Sequence, residues 1–404
     1  MAESDFRGKI ADLLSHAGIT IDGSDPHDIR VHDSRLYGRV IAGGSLALAE
    51  AYMDGWWDCP RLDEFFARVL RARLDEQVRS RTWFWAALKA RLFNRQTIRR
   101  AAGMARRHYD LGNDLYRRML DRRMIYTCGY WNGARDLDEA QERKLEMVCR
   151  KLGLEPGMKV LDIGCGWGGA ACFAAERYGV KVVGITISRR QADLARETCA
   201  GLPVEIRQQD YREVTGNYDR IFSLGMFEHV GPRNHQTFMD VVRRCLAPDG
   251  LFLLHTIGGN RSVRQTEAFM DRYIFPGSVL PSARDIAGAG EGLFVLEDWH
   301  NFGTHYDPTL MQWYRNFANA WNELKDRYDE RFRRMWTYYL LSCAGSFRAR
   351  KNQVWQLVLS PAGVMGGYRA PRVGRKREVE KREQCIDQDR PNPLSINQNP
   401  SFRL

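Results

Sequence analysis

The residues best suited to chemistry begin at a glycine turn. Asp162-Ile163-Gly164-Cys165-Gly166-Trp167-Gly168-Gly169 follows an apolar run and opens an alanine-rich one. Gly164, Gly166 and Gly169 give the G-x-G-x-x-G spacing, which is weak alone and informative where it joins a strand to a helix. Glycine lets the backbone turn tightly and lets a ligand approach without meeting a side chain, and the helix start offers unpaired amides. The stretch 162–169 therefore predicts a nucleoside-type cofactor. A nicotinamide dinucleotide would want an acid about 20 residues on to hold its ribose. The next strand ends instead in Gly184-Ile185-Thr186-Ile187-Ser188. This disfavours a dehydrogenase and leaves ribose binding to Thr186, Ser188 or Gln191. Further on, Glu228 follows the fourth predicted strand and His255 lies near the end of the fifth. In a parallel sheet both reach the carboxyl edge, where ligands bind. Taken alone, Cys128 reads as a buried apolar residue, and Tyr306 carries no signal.

Alternating strands and helices must position these groups. Lys159 to Ile163, Lys181 to Ile187, Val204 to Arg207, Tyr218 to Leu224 and Leu251 to Ile257 read as strands, with helices over Gln191 to Ala200 and His235 to Leu246. That rhythm predicts an α/β fold with a mostly parallel sheet flanked by helices. A long irregular stretch runs to about Glu291, then helices over Thr309 to Leu324 and Arg331 to Arg350, and a closing strand over Val354 to Leu359. Residues 1–93 read as a small helical N-terminal domain without strands. Within it, Arg81 to Phe93 is a basic amphipathic helix with aromatics, a pattern that suits an anionic membrane surface as well as a packed core. Residues 94–107 read as a linker, 108–368 as the catalytic domain, and 369–404 as a disordered tail with almost nothing apolar to bury.

The chain has 404 residues with a formal net charge of +11, which attracts phosphate on lipid or nucleic acid without choosing between them. No apolar run approaches the ~18–20 residues of a membrane-spanning helix, and the acidic start lacks the pattern of a secretory signal. Cytoplasmic residence is expected. The nine cysteines include no CxxC pair and their number is odd, so a disulfide framework or zinc site is not expected, and no metal is needed.

Val160 to Gly169 resembles the class I S-adenosylmethionine-dependent methyltransferases. His108-Tyr109-Asp110-Leu111-Gly112-Asn113-Asp114-Leu115-Tyr116, Tyr126-Thr127-Cys128-Gly129-Tyr130-Trp131, Gly225-Met226-Phe227-Glu228-His229-Val230-Gly231, Leu254-His255-Thr256-Ile257-Gly258 and Glu297 to Gly303 narrow the resemblance to the cyclopropane-fatty-acyl-phospholipid synthases. It covers about residues 10 to 367. The resemblance implies methyl transfer to a cis double bond in a phospholipid acyl chain, then ring closure as a bound bicarbonate removes a proton. The implied bicarbonate cradle is Cys128, Glu228, His255, the backbone at Ile257, and Tyr306. The implied S-adenosylmethionine contacts are Tyr126, Thr127, Gly164, Gly166, Gly168, Thr186, Ser188, Gln191, Gln209 and Asp210. It further implies unsaturated membrane phospholipid as partner, no nucleic acid, peripheral association with the inner face of the membrane, and a homodimer. His229 is left as structural.

Overall fold

The computed structural model describes residues 3–77 and 112–372. The basic helix at 81–93, the linker at 94–107, positions 108–111 and the chain after 372 lie outside the described residues. The N-terminal part carries α1 (Glu3–Ser15), β1 (Arg30–Val31), α2 (Arg35–Met53), β2 (Trp57–Asp58), α3 (Leu62–Arg71) and α4 (Leu74–Gln77). Helices dominate it. The two-residue strands β1 and β2 pair antiparallel, where the sequence predicts none, because two residues are too few to show an alternating pattern.

The rest begins with α5 (Asn113–Met119) and α6 (Leu137–Lys151). It continues through β3 (Lys159–Ile163), α7 (Gly169–Tyr178), β4 (Lys181–Thr186), α8 (Arg189–Thr198), β5 (Val204–Gln208), β6 (Tyr218–Leu224), α9 (His235–Cys245) and β7 (Leu246–Gly259). It ends with α10 (Ala283–Gly290), β8 (Val295–Asn301), α11 (Tyr306–Asn319), α12 (Trp321–Leu324), α13 (Glu330–Arg348) and β9 (Asn352–Ser360). The seven-stranded sheet has the order β5-β4-β3-β6-β7-β9-β8. β5, β4, β3, β6 and β7 are parallel neighbours, while β9 is antiparallel to β7 and to β8. The chain leaves β3 in one direction to β4 and in the other to β6. The carboxyl ends of β3 and β6 therefore flank a crevice with no crossover above it, the position where open α/β sheets bind ligands.

Two elements differ from the pattern read off the sequence. β7 starts at Leu246, five residues early. Tyr218 pairs with Leu246 and Arg220 with Leu251, so the Pro248-Asp249-Gly250 turn is absorbed as a bulge. The edge strand β8 is unforeseen, since Glu297, Asp298 and His300 give it no apolar alternation.

The N-terminal helices share one apolar cluster with α11 and α13, including Trp57, Phe65, Trp313, Trp336 and Tyr338. α3 packs so closely on α13 that a Cβ at Gly345 would lie 2.6 Å from the Asp63 carbonyl oxygen. Arg348 on α13 ties the layers electrostatically, reaching Asp63 at 2.7 Å on α3 and Asp307 at 2.9 Å on α11. The described residues extend to Arg372. Arg372 pairs with Asp298 at 2.6 Å, and Asp298 also takes the buried Lys151 at 3.0 Å. The cysteines depart from expectation in one respect. Cys172 on α7 and Cys199, just after α8, are disulfide-bonded with Cα atoms 5.6 Å apart. The glycine turn brings these helices together, a proximity that a separation of 27 residues does not reveal.

Candidate active site

β3 ends in a turn that three left-handed glycines make passable, Gly164, Gly166 and Gly168, with φ of 89°, 54° and 86°. The amides of Gly164 and Cys165 both donate to the Ile185 carbonyl, at 3.0 and 2.9 Å, which staples the turn to β4. A Cβ at Gly164 would lie 2.7 Å from that of Met226, whereas one at Gly166 would meet nothing within 4 Å. The turn forms one wall of an open cleft. Thr186, Gln191, Gln209 and Asp210 line a second side, and Tyr126, Thr127, Gly225, His229 and Phe275 a third. Ten sequence-predicted cofactor residues thus divide eight to two. Ser188 instead caps α8, accepting from the Gln191 amide. Gly168 sits off the cleft, where a Cβ would come within 2.9 Å of Cys199 Sγ.

The polar groups of the cleft are mutually arranged. Thr186 Oγ1 donates to Gln191 Oε1 at 2.8 Å, which fills the place where a nicotinamide-binding fold would carry an acid. Asp210 is held by the Arg212 guanidinium at 2.7 Å. Asp162, at the end of β3, lines the cleft with a buried Oδ2 that has no hydrogen-bond partner. Burial lifts its pKa to about 8 against the pull of Lys144.

The strip 125–128 forms the boundary between this cleft and a drier cluster beneath α11. Asp121 receives the Ile125 and Arg123 amides at 2.8 and 2.9 Å, setting the strip's entry. From α6, Gln141 Nε2 donates to the Thr127 carbonyl at 2.8 Å and Lys144 Nζ to Thr127 Oγ1 at 2.9 Å. The Tyr126 hydroxyl meets that of Tyr339 at 2.8 Å. The next residue, Cys128, is fully buried. Its thiol donates to the Gly129 carbonyl, and burial pushes its pKa far up, leaving a neutral thiol.

Glu228 lies in a short turn after β6, 5% exposed. Its Oε1 accepts from the Ile257 amide at 2.7 Å, while Oε2 is buried without a partner. Burial raises its pKa to about 7, opposed by the Ile257 amide. His255 is 1% exposed and stays neutral because of burial first and the buried Lys144 and Lys151 second. The Gln356 side-chain amide lies 3.3 Å from its Nδ1. Tyr306 opens α11, earlier than the expected start at Thr309. Its ring packs on Phe347 and Trp313, and its hydroxyl is held neutral by burial and by the nearby Cys128, Tyr126 and Glu228. Cys128, Glu228 and Tyr306 are therefore neighbours. The His255 ring instead meets Phe302 and Gln356, and its carbonyl accepts from the Gly225 amide at 2.9 Å. The Ile257 amide, expected to face a ligand, is committed to Glu228.

Sequence reasoning passed over Lys144, Gln141, Asp162 as an acceptor, Arg212 and His229. His229, set aside as structural, lines the cleft beside Phe275, and burial lowers its pKa to about 4. Gln141, Lys144 and Lys151 stand on the buried stripe of α6 with Leu137, Ala140 and Val148. Polar residues at core positions of a helical stripe were the available signal.

A family model described as Mycolic acid cyclopropane synthetase matches residues 96–357. The chain belongs to this family. It is 54% identical over 364 residues to Cyclopropane-fatty-acyl-phospholipid synthase of Escherichia coli (strain K12), a match covering 89% of this chain and 94% of that protein. Among solved structures, the cyclopropane synthase MmaA2 from Mycobacterium tuberculosis is 31% identical with a TM-score of 0.61 and covers 64% of this chain and 97% of its own. Mycolic acid cyclopropane synthase CmaA1, complexed with SAH and CTAB, is 33% identical with a TM-score of 0.59 over 64% of this chain and 97% of its own. The family member described here is thus an S-adenosylmethionine-dependent methyltransferase with the class I fold. Among its described residues, no helix is long and apolar enough to cross a membrane.

Proposed function

We propose that this enzyme methylates the cis double bond of unsaturated acyl chains in membrane phospholipid and closes a cyclopropane ring, with bicarbonate bound beside Glu228. One observation carries the reading: a buried carboxylate with one oxygen held by the Ile257 amide and the other without a protein partner, near the buried Tyr306 phenol, which also neighbours the Cys128 thiol. These residues fit a small oxyanion that still bears one hydroxyl. Glu228 Oε2 can accept from such a hydroxyl, and Tyr306 and a neutral His255 can each donate to its oxygens. S-adenosylmethionine, held by the glycine turn, Thr186, Gln191, Gln209 and Asp210, supplies an electrophilic methyl when bound. Bicarbonate supplies a weak base.

The protein's own residues do the remaining work. An alkene is a poor nucleophile and must be aligned in a dry slot. Tyr126 and Phe275 line the cleft and can offer π faces to a cationic acyl chain, while Trp313, 5.0 Å from Tyr126 between ring centroids, and Tyr339, 5.9 Å from Phe275, back them from the core. Glu228, once ionised above about pH 7, orients the base by accepting its hydroxyl without being a strong base itself. The Ile257 amide fixes which carboxylate oxygen remains available. Ring closure converts the transferred methyl into a ring methylene and releases one proton.

The net charge of +11 suits docking on the anionic inner face of the membrane, and the similarity to a phospholipid-acting synthase favours lipid over nucleic acid as the partner. A homodimer is the expected assembly, and light scattering tests it. Incubation with methyl-labelled S-adenosylmethionine and vesicles of unsaturated phospholipid tests the chemistry. Labelled lipid that gains one methylene and loses its double bond is expected, with a rate that rises on adding bicarbonate to CO2-free buffer. A methyl-branched product, or a rate indifferent to bicarbonate, overturns the corresponding half of the proposal.

A further inference from the structure

Lys144 is fully buried on α6, yet no carboxylate of the described residues lies within ion-pair distance of it. Its Nζ bonds to Thr127 Oγ1 at 2.9 Å. An ammonium only donates, so Thr127 Oγ1 accepts here, and the hydroxyl proton must be directed to a different acceptor. Among the described residues no protein group receives it, and Thr127 lines the cofactor cleft. The threonine is otherwise immobilised. Its carbonyl is held by Gln141, and its methyl packs on Gly225, where an added Cβ would come within 2.5 Å of Cγ2. Burying an ammonium is costly, and an apolar side chain of similar length would fill the same space without that cost. Among the described residues, Thr127 Oγ1 is the group to which this ammonium is hydrogen-bonded.

We infer that Lys144 is a positioning residue for the methyl donor: it holds the Thr127 hydroxyl as a committed donor into the cleft, suited to the carboxylate at the amino-acid end of S-adenosylmethionine. The inference rests on the cofactor occupying this cleft. Lys144 also lies within electrostatic reach of Asp121, Cys128 and Asp162. It therefore stands where the cofactor cleft and the buried acid cluster meet, and acts on the first through Thr127.

A double-mutant cycle on the full chain tests this, using Lys144→Met, Thr127→Val and the pair. The readouts are S-adenosylhomocysteine affinity by calorimetry, kcat and KM for S-adenosylmethionine, and thermal stability. Each single variant is expected to bind about tenfold more weakly and to raise KM more than it lowers kcat. The pair should be no weaker than the worse single variant, since both remove one contact. Wild-type affinity in Lys144→Met, or losses that multiply in the pair, overturns the inference. If Lys144→Met does not fold, Thr127→Ser against Thr127→Val decides. Retained affinity with serine and loss with valine is expected, and equal loss in both contradicts it. A wild-type chain that fails to bind the ligand overturns the cofactor placement itself.

Discussion

The two halves of the proposed active site are built on different principles. The cofactor half is made of backbone: three left-handed glycines, amides stapled to β4, and a few hydroxyl and amide side chains contributed by consecutive strand ends. The acid half is made of buried side chains, Cys128, Glu228, His255 and Tyr306, drawn from segments up to 178 positions apart; desolvation keeps the thiol, imidazole and phenol neutral and lifts the Glu228 carboxyl to about 7. The first half is open so that a polar cofactor can enter and leave. The second is closed, which strengthens each electrostatic contact inside it. The difference teaches that specificity for the methyl donor and the fate of the methyl are separable, with the strip 125–128 as their shared wall.

That separation can be broken from either side. Glu228→Gln removes the acceptor and is expected to lower ring formation by about 10²–10⁴-fold, measured as labelled cyclopropane lipid. Gly164→Ala forces a Cβ to 2.7 Å from Met226 at a φ of 89°. It should weaken cofactor binding by roughly 10- to 100-fold, since relieving one or two such clashes takes about 1–3 kcal/mol. The pH profile sharpens the contrast. Glu228 must ionise to accept, and burial raises its pKa to about 7, so activity should climb by about tenfold per pH unit below 7 and level off above it. Glu228→Gln should flatten that limb. Stability runs the other way. A carboxyl raised from 4.5 to about 7 by folding adds stability that is fully present below pH 4.5 and is lost as pH rises through 7. Denaturant midpoints of wild type and Glu228→Gln across that window measure it. The smallest effect belongs to the interface with the N-terminal helices. Arg348→Met removes the pairs with Asp63 and Asp307 and should lower Tm by about 5 °C, with cofactor affinity unchanged.

Much of the cofactor half was legible in the sequence because its information is local. A strand, a glycine turn and a helix lie within about 20 residues, and hydroxyls at Thr186 and Ser188 follow on the next strand. Even so, Gly168 and Ser188 turn out to serve packing and helix capping. A glycine needed for close approach and one needed for a ligand look the same in sequence. In the acid half, position was legible only through the resemblance. The partner of the Ile257 amide, the Gln356 contact with the His255 ring, and the polar stripe of α6 all depend on neighbours distant in the chain. β8 escaped because an edge strand needs no apolar alternation. The Cys172–Cys199 bond escaped because nothing in the spacing marks two helices that a turn folds together.

The most direct test of the separation is calorimetric titration of S-adenosylhomocysteine into Glu228→Gln, alongside wild type. If the two halves are independent, the affinity stays within about threefold of wild type while ring formation collapses. A loss of affinity of about tenfold or more would mean that Glu228 belongs to the cofactor site, and would contradict the division on which this account rests.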